Sequence, residues 1–365
     1  MKSLVRYRPV TCKSALHPVR GLFPHHWDLN VYRGCQHGCK YCYALYSHKY
    51  LKQENDESDQ INQTNQIDQI NQTNQIDQIN QIGRIEQINQ TDSDKNESLA
   101  GNYYNHIYAK TNIVERLEKE LSRPGRKPEV INLGGVSDSY QQAEAEYALM
   151  PDILKLMIKY KNPVNISTKS ALILRDFDLF DELSKVSYVN IAATVTTTDE
   201  SLRKIIEPDC SASAKRFDFL EKFKKTDATV GVHVMPVMPL ISDSLENLEP
   251  IFSRTREIGA DYIIAAPLFL RGQTRKSYFE FVKNDFPHLY DPMRILYKTG
   301  HLNKEYKTGI YEKINSLSEK YNLSDDYRKS MNLKLKKVWR DRDAETPQEK
   351  KPKQLTLSQF GATPF

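Results

Sequence analysis

The sequence predicts an α/β fold organised as a partial (β/α)6 TIM-type barrel. Short apolar runs of strand length alternate with segments whose apolar residues recur at helical spacing. Six such runs occur, and repeated βα units form parallel sheets with right-handed crossovers. Polar residues, glycines or prolines follow the runs, at the edge where barrels of this type carry their chemistry. Six units make an incomplete version of the eight-unit barrel.

The strand predictions come from apolar, often β-branched runs bounded by polar or turn-forming residues. They cover Trp27–Tyr32, Val130–Leu133, Val164–Ser167, Val189–Val195, Val230–Met238 and Tyr262–Leu268. Helical spacing between them begins at Ile113, Leu149, Leu172 and Leu245. After residue 270 the pattern becomes helical and charged.

The chain divides by composition into several segments. Residues 1–26 form an N-terminal segment, 27–270 the barrel core, 271–346 a helical C-terminal extension and 347–365 a flexible tail. An Asn/Gln-rich insert, residues 53–98, interrupts the core and repeats one nine-residue string as Asn62–Ile70 and Asn71–Ile79. Isolated isoleucines on a polar background do not offset the entropy of ordering, so disorder is expected. A β-solenoid rung or a short coiled stretch remains open.

Composition limits the cellular setting more than it limits the function. No stretch approaches the roughly 20 apolar residues that span a bilayer, and the basic N-terminus lacks an apolar region typical of a secretory signal. A cytoplasmic protein without a membrane partner is expected. The net charge of +5 permits a nucleic-acid partner without requiring one.

Three of the five cysteines, Cys35, Cys39 and Cys42, stand in a C-x3-C-x2-C spacing. Such clustering indicates metal or cluster ligation rather than a disulfide framework. Thiolates are the usual ligands of iron–sulfur clusters, and three of them would leave one iron of a [4Fe–4S] cubane open. The alternative is a zinc site with a fourth ligand from His37, His25 or His48, although the second half of a typical zinc motif is missing.

The same motif, with Tyr41 before the last cysteine, resembles the signature of the radical SAM enzymes. The resemblance implies that the open iron binds S-adenosylmethionine and that reduction of the cluster yields a 5′-deoxyadenosyl radical. It also implies an electron donor such as ferredoxin or flavodoxin. The protein then positions and shields a reaction that the cofactor carries out.

Over roughly residues 27–270 the chain is most similar to the branch related to spore photoproduct lyase, a DNA-repair enzyme. The similarity lies in Gly134-Gly135-Val-Ser137-Asp138, Ser167-Thr-Lys169, Thr194-Val-Thr-Thr and Glu207-Pro208 with Arg216. It implies cofactor contacts at Gly134, Gly135, Ser137, Lys169 and Thr194, with Lys169 near the carboxylate of S-adenosylmethionine. Glu207 and Arg216 are interpreted as a structural pair.

One departure affects the expected reaction. The lyases carry a hydrogen-donating cysteine just before the Ser-Asp pair, and Gly135 occupies that position here. The catalytic residues beyond the cofactor site are therefore unknown. DNA lesion repair, RNA modification and activation of a partner protein all remain open as the reaction. The alternatives are a zinc-stabilised nucleic-acid-binding protein without radical chemistry and a cluster protein that only transfers electrons.

The tail adds one partner prediction. Its segment Gln354–Phe360 resembles the Gln-x-x-Leu-x-x-Phe peptide with which DNA-processing proteins bind sliding clamps, although Gly361 replaces the usual second aromatic residue. A short peptide with spaced apolar anchors can bind a groove in this way. We expect a peptide of residues 348–365 to bind a clamp in calorimetry.

Overall fold

All six expected strands lie in one sheet, in the expected order along the chain. The computed structural model describes residues 5–19, 25–50, 99–328 and 331–336. The predicted insert, the flexible tail and the clamp-like segment Gln354–Phe360 lie outside these residues. The strands are β1 (Arg6–Val10), β2 (Leu16–Pro18), β3 (Trp27–Leu29), β4 (Tyr32–Arg33), β5 (His106–Lys110), β6 (Ile131–Leu133), β7 (Val164–Thr168), β8 (Val189–Thr194), β9 (Thr229–Val237) and β10 (Tyr262–Pro267).

The main sheet has the strand order β10-β9-β8-β7-β6-β3-β2. The six predicted strands are parallel to one another, and β2 adds to β3 in the antiparallel direction. Every residue of the inner strand β8 is buried. Continuous burial of this kind is expected when both faces of a parallel sheet are covered. The partial barrel fold that the sequence predicts is confirmed.

The run predicted as one strand over Trp27–Tyr32 is divided between two sheets. Its first part, β3, belongs to the main sheet, whereas β4 pairs with β5 in a small sheet of order β1-β5-β4. The chain leaves the main sheet at Asn30, whose side-chain oxygen accepts a hydrogen bond of 2.8 Å from the Val136 N–H. This break brings the segment after β4, with the cysteine motif, to the end of the main sheet.

The helices follow the apolar spacing in the sequence. They are α1 (Leu99–Asn105), α2 (Ile113–Leu121), α3 (Ala143–Tyr147), α4 (Met150–Lys159), α5 (Phe177–Val186), α6 (Glu200–Ile206), α7 (Ser213–Phe223), α8 (Leu245–Glu257), α9 (Gly272–Asp285), α10 (Tyr290–Leu296) and α11 (Lys304–Tyr321). Residues 331–336 are also helical. In α2 the buried positions include Ile113, Leu117 and Leu121, which form one helix face.

The helix predicted to begin at Leu172 is instead a 3-10 helix, Ala171–Asp176, followed by α5. The Ser170 hydroxyl accepts the Leu172 N–H and starts the first segment. Asp176 is buried and accepts hydrogen bonds from Tyr140 and Arg175, which fixes the junction. None of the helices in the described ranges has the length and apolar character needed to cross a bilayer.

Candidate active site

The cysteine motif forms a loop between β4 and a 3-10 helix, Tyr43–Tyr50. Two glycines shape this loop. Gly34 has φ +83°, and a Cβ there would stand 2.4 Å from the His106 carbonyl oxygen. Gly38 has φ +65°, and a Cβ there would stand 3.1 Å from the Pro208 ring. Glycine is required at both positions because these backbone angles favour it and, at Gly34, no space for a side chain exists.

Hydrogen bonds from several elements hold the loop in place. The Cys35 N–H donates to the Tyr103 carbonyl at 3.2 Å. The Tyr104 hydroxyl donates to the Cys39 carbonyl at 2.6 Å, and the Thr274 hydroxyl donates to the Cys42 carbonyl at 3.0 Å. Helices α1 and α9 therefore fix the backbone next to each cysteine, so that the thiols are oriented before any cofactor binds.

The three thiols are close enough to change one another's pKa. Burial raises the pKa of Cys35, and Asp138, Cys39 and Cys42 add to this rise. Burial and the neighbouring Cys39 raise the pKa of Cys42 to about 11. Cys39 differs, because a hydrogen bond with Cys210 and the nearby charge of Lys169 outweigh the effect of burial and lower its pKa to about 7. Cys39 is thus the thiol most readily ionised.

Cys210, which was assigned no role from the sequence, lies beside the motif. Its sulfur is 3.7 Å from that of Cys39 and 3.8 Å from the His37 carbonyl oxygen. The turn after α6 brings it there, since the Lys40 N–H donates to the Ile206 carbonyl at 2.9 Å. The Glu207-Pro208 passage therefore packs directly against the cysteine loop.

Asp138 links the loop to the ends of two strands. Its carboxylate accepts hydrogen bonds from the Thr168 hydroxyl at 2.7 Å and the Lys169 N–H at 2.9 Å, and contacts His37 Nε2 at 2.9 Å. Burial would raise the pKa of Asp138, but His37 and these donors hold it well below its usual range. The charged pair connects the loop to β6 and β7.

Lys169 lies at the end of β7 with its ammonium group 5.9 Å above the Tyr41 ring. Among the described residues, this ammonium group has no ion pair or hydrogen bond. Burial would lower its pKa, but Cys39 and Glu207 raise it above the ordinary value. A charged amine held beside the cysteine loop in this way could bind the carboxylate of a cofactor.

Gly134, Gly135 and Ser137 form the turn after β6. Gly134 has φ +97°, and a Cβ on Gly135 would stand 2.4 Å from a carboxylate oxygen of Asp28. The Tyr43 hydroxyl donates to the Gly135 carbonyl, so the turn contacts the segment after the motif. Ser137 donates its hydroxyl to the Tyr32 carbonyl at 2.9 Å, which makes this side chain a link to β4.

Thr194 ends β8 and is buried, and its carbonyl accepts a hydrogen bond of 2.8 Å from Arg216. The same guanidinium group forms an ion pair of 2.6 Å with Glu207, and both side chains are fully buried. Glu207 also accepts hydrogen bonds from Tyr41 and Thr196. The pair interpreted as structural from the sequence is present, and it joins β8 to the cysteine loop.

Sequence reasoning missed a polar network inside the sheet. Ser167 contacts His233 Nδ1 at 3.2 Å, and His233 Nε2 contacts the Tyr262 hydroxyl at 3.2 Å. Burial and Lys169 lower the pKa of His233 to about 4, so this ring is neutral near pH 7. Tyr262 also hydrogen bonds to Asn190. The one signal for this network in the sequence is His233 itself, a polar residue within the otherwise apolar run of β9.

These residues fit a cluster held by three thiolates. The cysteines lie on one loop, their thiols interact, and a cation without an ion pair stands beside them. In the described parts of the chain, no three His, Cys, Asp or Glu side chains are placed to hold a single metal ion. A cubane cluster does not need three ligands around one ion, because each of its thiolates binds a different iron atom.

Comparisons with known proteins agree with this fold. A protein of Mycobacterium tuberculosis described as uncharacterized is 28% identical over 327 residues, covering 89% of this chain and 83% of the relative. A protein of Methanocaldococcus jannaschii is 24% identical, and the match covers 88% of this chain and 96% of the relative. A tyrosine-to-phenylalanine variant of spore photoproduct lyase aligns with a TM-score of 0.54 and 10% identity over 86% of this chain and 79% of the lyase, which shows a shared fold.

A further lyase structure, solved with S-adenosylmethionine and a dinucleoside spore photoproduct, aligns with a TM-score of 0.47 and 10% identity. It covers 77% of this chain, and this chain spans 66% of that lyase. The family model of the radical SAM superfamily matches residues 29–249, which is more than half of the chain and contains the cysteine loop and β4 to β9. The chain therefore belongs to the radical SAM superfamily.

Proposed function

We propose that this chain is an enzyme that holds a [4Fe–4S] cluster on Cys35, Cys39 and Cys42, cleaves S-adenosylmethionine reductively and acts on a nucleic acid. The observation that carries the proposal is the cysteine loop itself, fixed at the ends of the parallel strands beside the free ammonium group of Lys169. When bound, the cluster supplies the electron that breaks a carbon–sulfur bond of S-adenosylmethionine and gives a 5′-deoxyadenosyl radical. Ferredoxin or flavodoxin is the proposed donor of that electron.

The chain's own residues orient and enclose this chemistry. Lys169 binds the carboxylate of the cofactor, and the Gly134-Gly135 turn allows the backbone to approach it closely. Ser137 and Thr194 support these contacts from the neighbouring strand ends. Tyr41 and the buried carboxylate of Glu207 keep the Lys169 ammonium charged and directed toward the loop.

A nucleic-acid substrate is supported by the surface next to β10. Phe269 is 56% exposed, and the Arg271 guanidinium carbon lies 4.6 Å from its ring centroid. Exposed aromatic rings and arginine planes are the groups on which unpaired bases stack. The net charge of +5 is compatible with a polyanionic partner. The clamp-like segment Gln354–Phe360 would bring the enzyme to DNA.

The cofactor part of the proposal is tested by anaerobic reconstitution. We expect about four irons and four sulfides per chain. The triple Cys→Ala variant at positions 35, 39 and 42 should lose them, whereas Cys12→Ala should keep them. With dithionite and S-adenosylmethionine, the loaded protein should form 5′-deoxyadenosine. Zinc bound without iron, or iron without deoxyadenosine, would contradict the proposal and favour the zinc-protein or electron-transfer alternative.

The substrate part is tested by the turnover of the cofactor. Addition of single-stranded DNA or RNA oligonucleotides should change the rate of deoxyadenosine formation. Phe269→Ser should remove that response without changing cleavage in the absence of nucleic acid, because Phe269 is outside the cofactor site. Ile295→Ser, at a position 73% exposed, is the matched control and should respond normally. Equal responses of both variants would argue against base stacking at this surface.

A further inference from the structure

A second cleft lies on the small sheet, away from the residues assigned to the cofactor. It is formed by β1, β2, β4, β5 and the segment after β1, it opens to solvent on one side, and its volume is about 20 Å³. Arg33, Lys110 and His17 are among the residues that line it. Three nitrogen-bearing side chains thus meet in one small concave space.

The two cations in this cleft have no acidic partner among the residues that the structure describes. Arg33 is 9% exposed and Lys110 8% exposed, so both are more than nine-tenths buried. The Nη1 atom of Arg33 has no hydrogen-bond partner. The Lys110 ammonium group forms no hydrogen bond or ion pair with any residue that the structure describes. Buried charges are normally paired, because taking an ion out of water carries a large free-energy cost.

The carboxylate that borders this region does not neutralise them. Glu120 accepts hydrogen bonds from the N–H groups of Ala15 and Leu16 and from the Ser14 hydroxyl. Burial and the nearby Arg33 lower the pKa of Lys110 to about 8. Burial also raises the pKa of Cys12, so this thiol is neutral near pH 7 and offers no negative charge. No residue in the described parts of the chain therefore supplies the counter-charge for these two cations.

We propose that this cleft binds a phosphate group, either free or at the end of a nucleotide. The planar guanidinium of Arg33 can donate two hydrogen bonds to a tetrahedral oxyanion, and Lys110 supplies a second positive charge. Burial and the adjacent cations lower the pKa of His17 to about 3, and the neutral ring can donate one further hydrogen bond. The site goes beyond the proposed radical chemistry, because it shares no residue with the cofactor contacts.

The test uses the full chain with its cluster loaded, and measures the melting temperature by circular dichroism. Inorganic phosphate should raise the melting temperature above that in chloride of matched ionic strength, because a ligand that binds only the folded state stabilises it. Lys110→Met should weaken phosphate binding by at least about tenfold, the effect expected for a lost charge-assisted hydrogen bond. Lys225→Met, at an exposed position, should behave as the unmodified protein.

Lys110→Gln serves as a second variant if the methionine variant does not fold. Adenosine 5′-monophosphate and oligonucleotides with and without a 5′-phosphate separate the two sources of the ligand. A larger shift with the nucleotide would identify the phosphate as part of a nucleotide, and a shift with inorganic phosphate alone would identify the free anion. No phosphate-dependent shift in the unmodified protein, or an equal shift in Lys110→Met, would overturn the proposal.

Discussion

At the residue scale, two buried carboxylates connect the cysteine loop to the strand ends. Asp138 contacts His37 and accepts a hydrogen bond from the Lys169 N–H at the end of β7. Glu207 forms an ion pair with Arg216 and accepts a hydrogen bond from the Tyr41 hydroxyl. Each carboxylate accepts hydrogen bonds from several donors, and these bonds offset the free-energy cost of burying its charge. The loop is therefore held from both sides by ionic contacts, and Lys169 lies between them.

Replacement of Lys169 by Met should weaken the binding of S-adenosylmethionine. The ammonium group is free of ion pairs among the described residues, so the variant should lose a charge-assisted hydrogen bond to the cofactor carboxylate. Such a bond corresponds to about 10- to 100-fold in affinity. Equilibrium binding to the cluster-loaded protein measures this, with Lys204→Met, an exposed lysine of α6, as the control. Unchanged affinity at full iron content would rule out this role.

Arg216→Met should reduce the free energy of unfolding by about 3–5 kcal/mol, because it leaves Glu207 buried without its cation. Urea unfolding of the protein measures the loss. Adding Glu207→Gln should recover part of it, since the double variant has no uncompensated charge at this position. If the double variant is no more stable than Arg216→Met, the ion pair is not the source of the effect.

The matched control for this pair is an exposed one. Lys155 and Asp152 form an ion pair of 2.8 Å on α4, with side chains 63% and 57% exposed. Solvent screens such pairs, so Lys155→Met should change stability by less than about 1 kcal/mol. The comparison separates the effect of burial from that of losing a lysine or arginine charge.

At the scale of elements, the parallel strands were predictable and the small sheet was not. Strands such as β8 are apolar throughout, because the sheet buries both faces. By contrast, β1 contains Pro9 and is largely exposed, and it pairs with β5 across about 100 residues of chain. Neither its polarity nor its distant partner leaves a local pattern in the sequence.

The cysteine loop depends on one close backbone contact, which leads to a prediction for Gly34. In Gly34→Ala the new Cβ would meet the His106 carbonyl at 2.4 Å, so the loop must move away from β5. We expect less than half of the normal iron content after reconstitution. Gly259→Ala is the control, because Gly259 also has a positive φ, +67°, but nothing lies within 4 Å of its added Cβ. Backbone strain there should cost about 1–2 kcal/mol and leave the iron content unchanged.

At the scale of the whole molecule, the position of the site could be predicted from the sequence, whereas the side-chain contacts around the cysteine loop could not. The motif spacing and strand ends placed the three cysteines, Lys169 and the glycine turn on one rim, as the structure has them. The roles of Asp138 and Cys210 depend on contacts between segments far apart in the chain. Cys210 reaches Cys39 only because the turn after α6 packs on the loop, and spacing along the sequence contains no signal for such packing.

The last prediction concerns the Asn/Gln-rich insert, residues 53–98. The segments that flank it already pack together, since the rings of His48 and Tyr103 stand edge to face with centroids 5.0 Å apart. A Gly/Ser linker of about six residues, which can span about 20 Å, should therefore connect them. The shortened protein should retain its iron and its cleavage of S-adenosylmethionine. The linker has about one eighth of the length of the insert, so closing this loop costs less conformational entropy. The free energy of unfolding should therefore rise by up to about 2 kcal/mol. A scrambled insert of equal length is the control, and loss of iron in the shortened protein alone would show that the insert's length supports the cysteine loop.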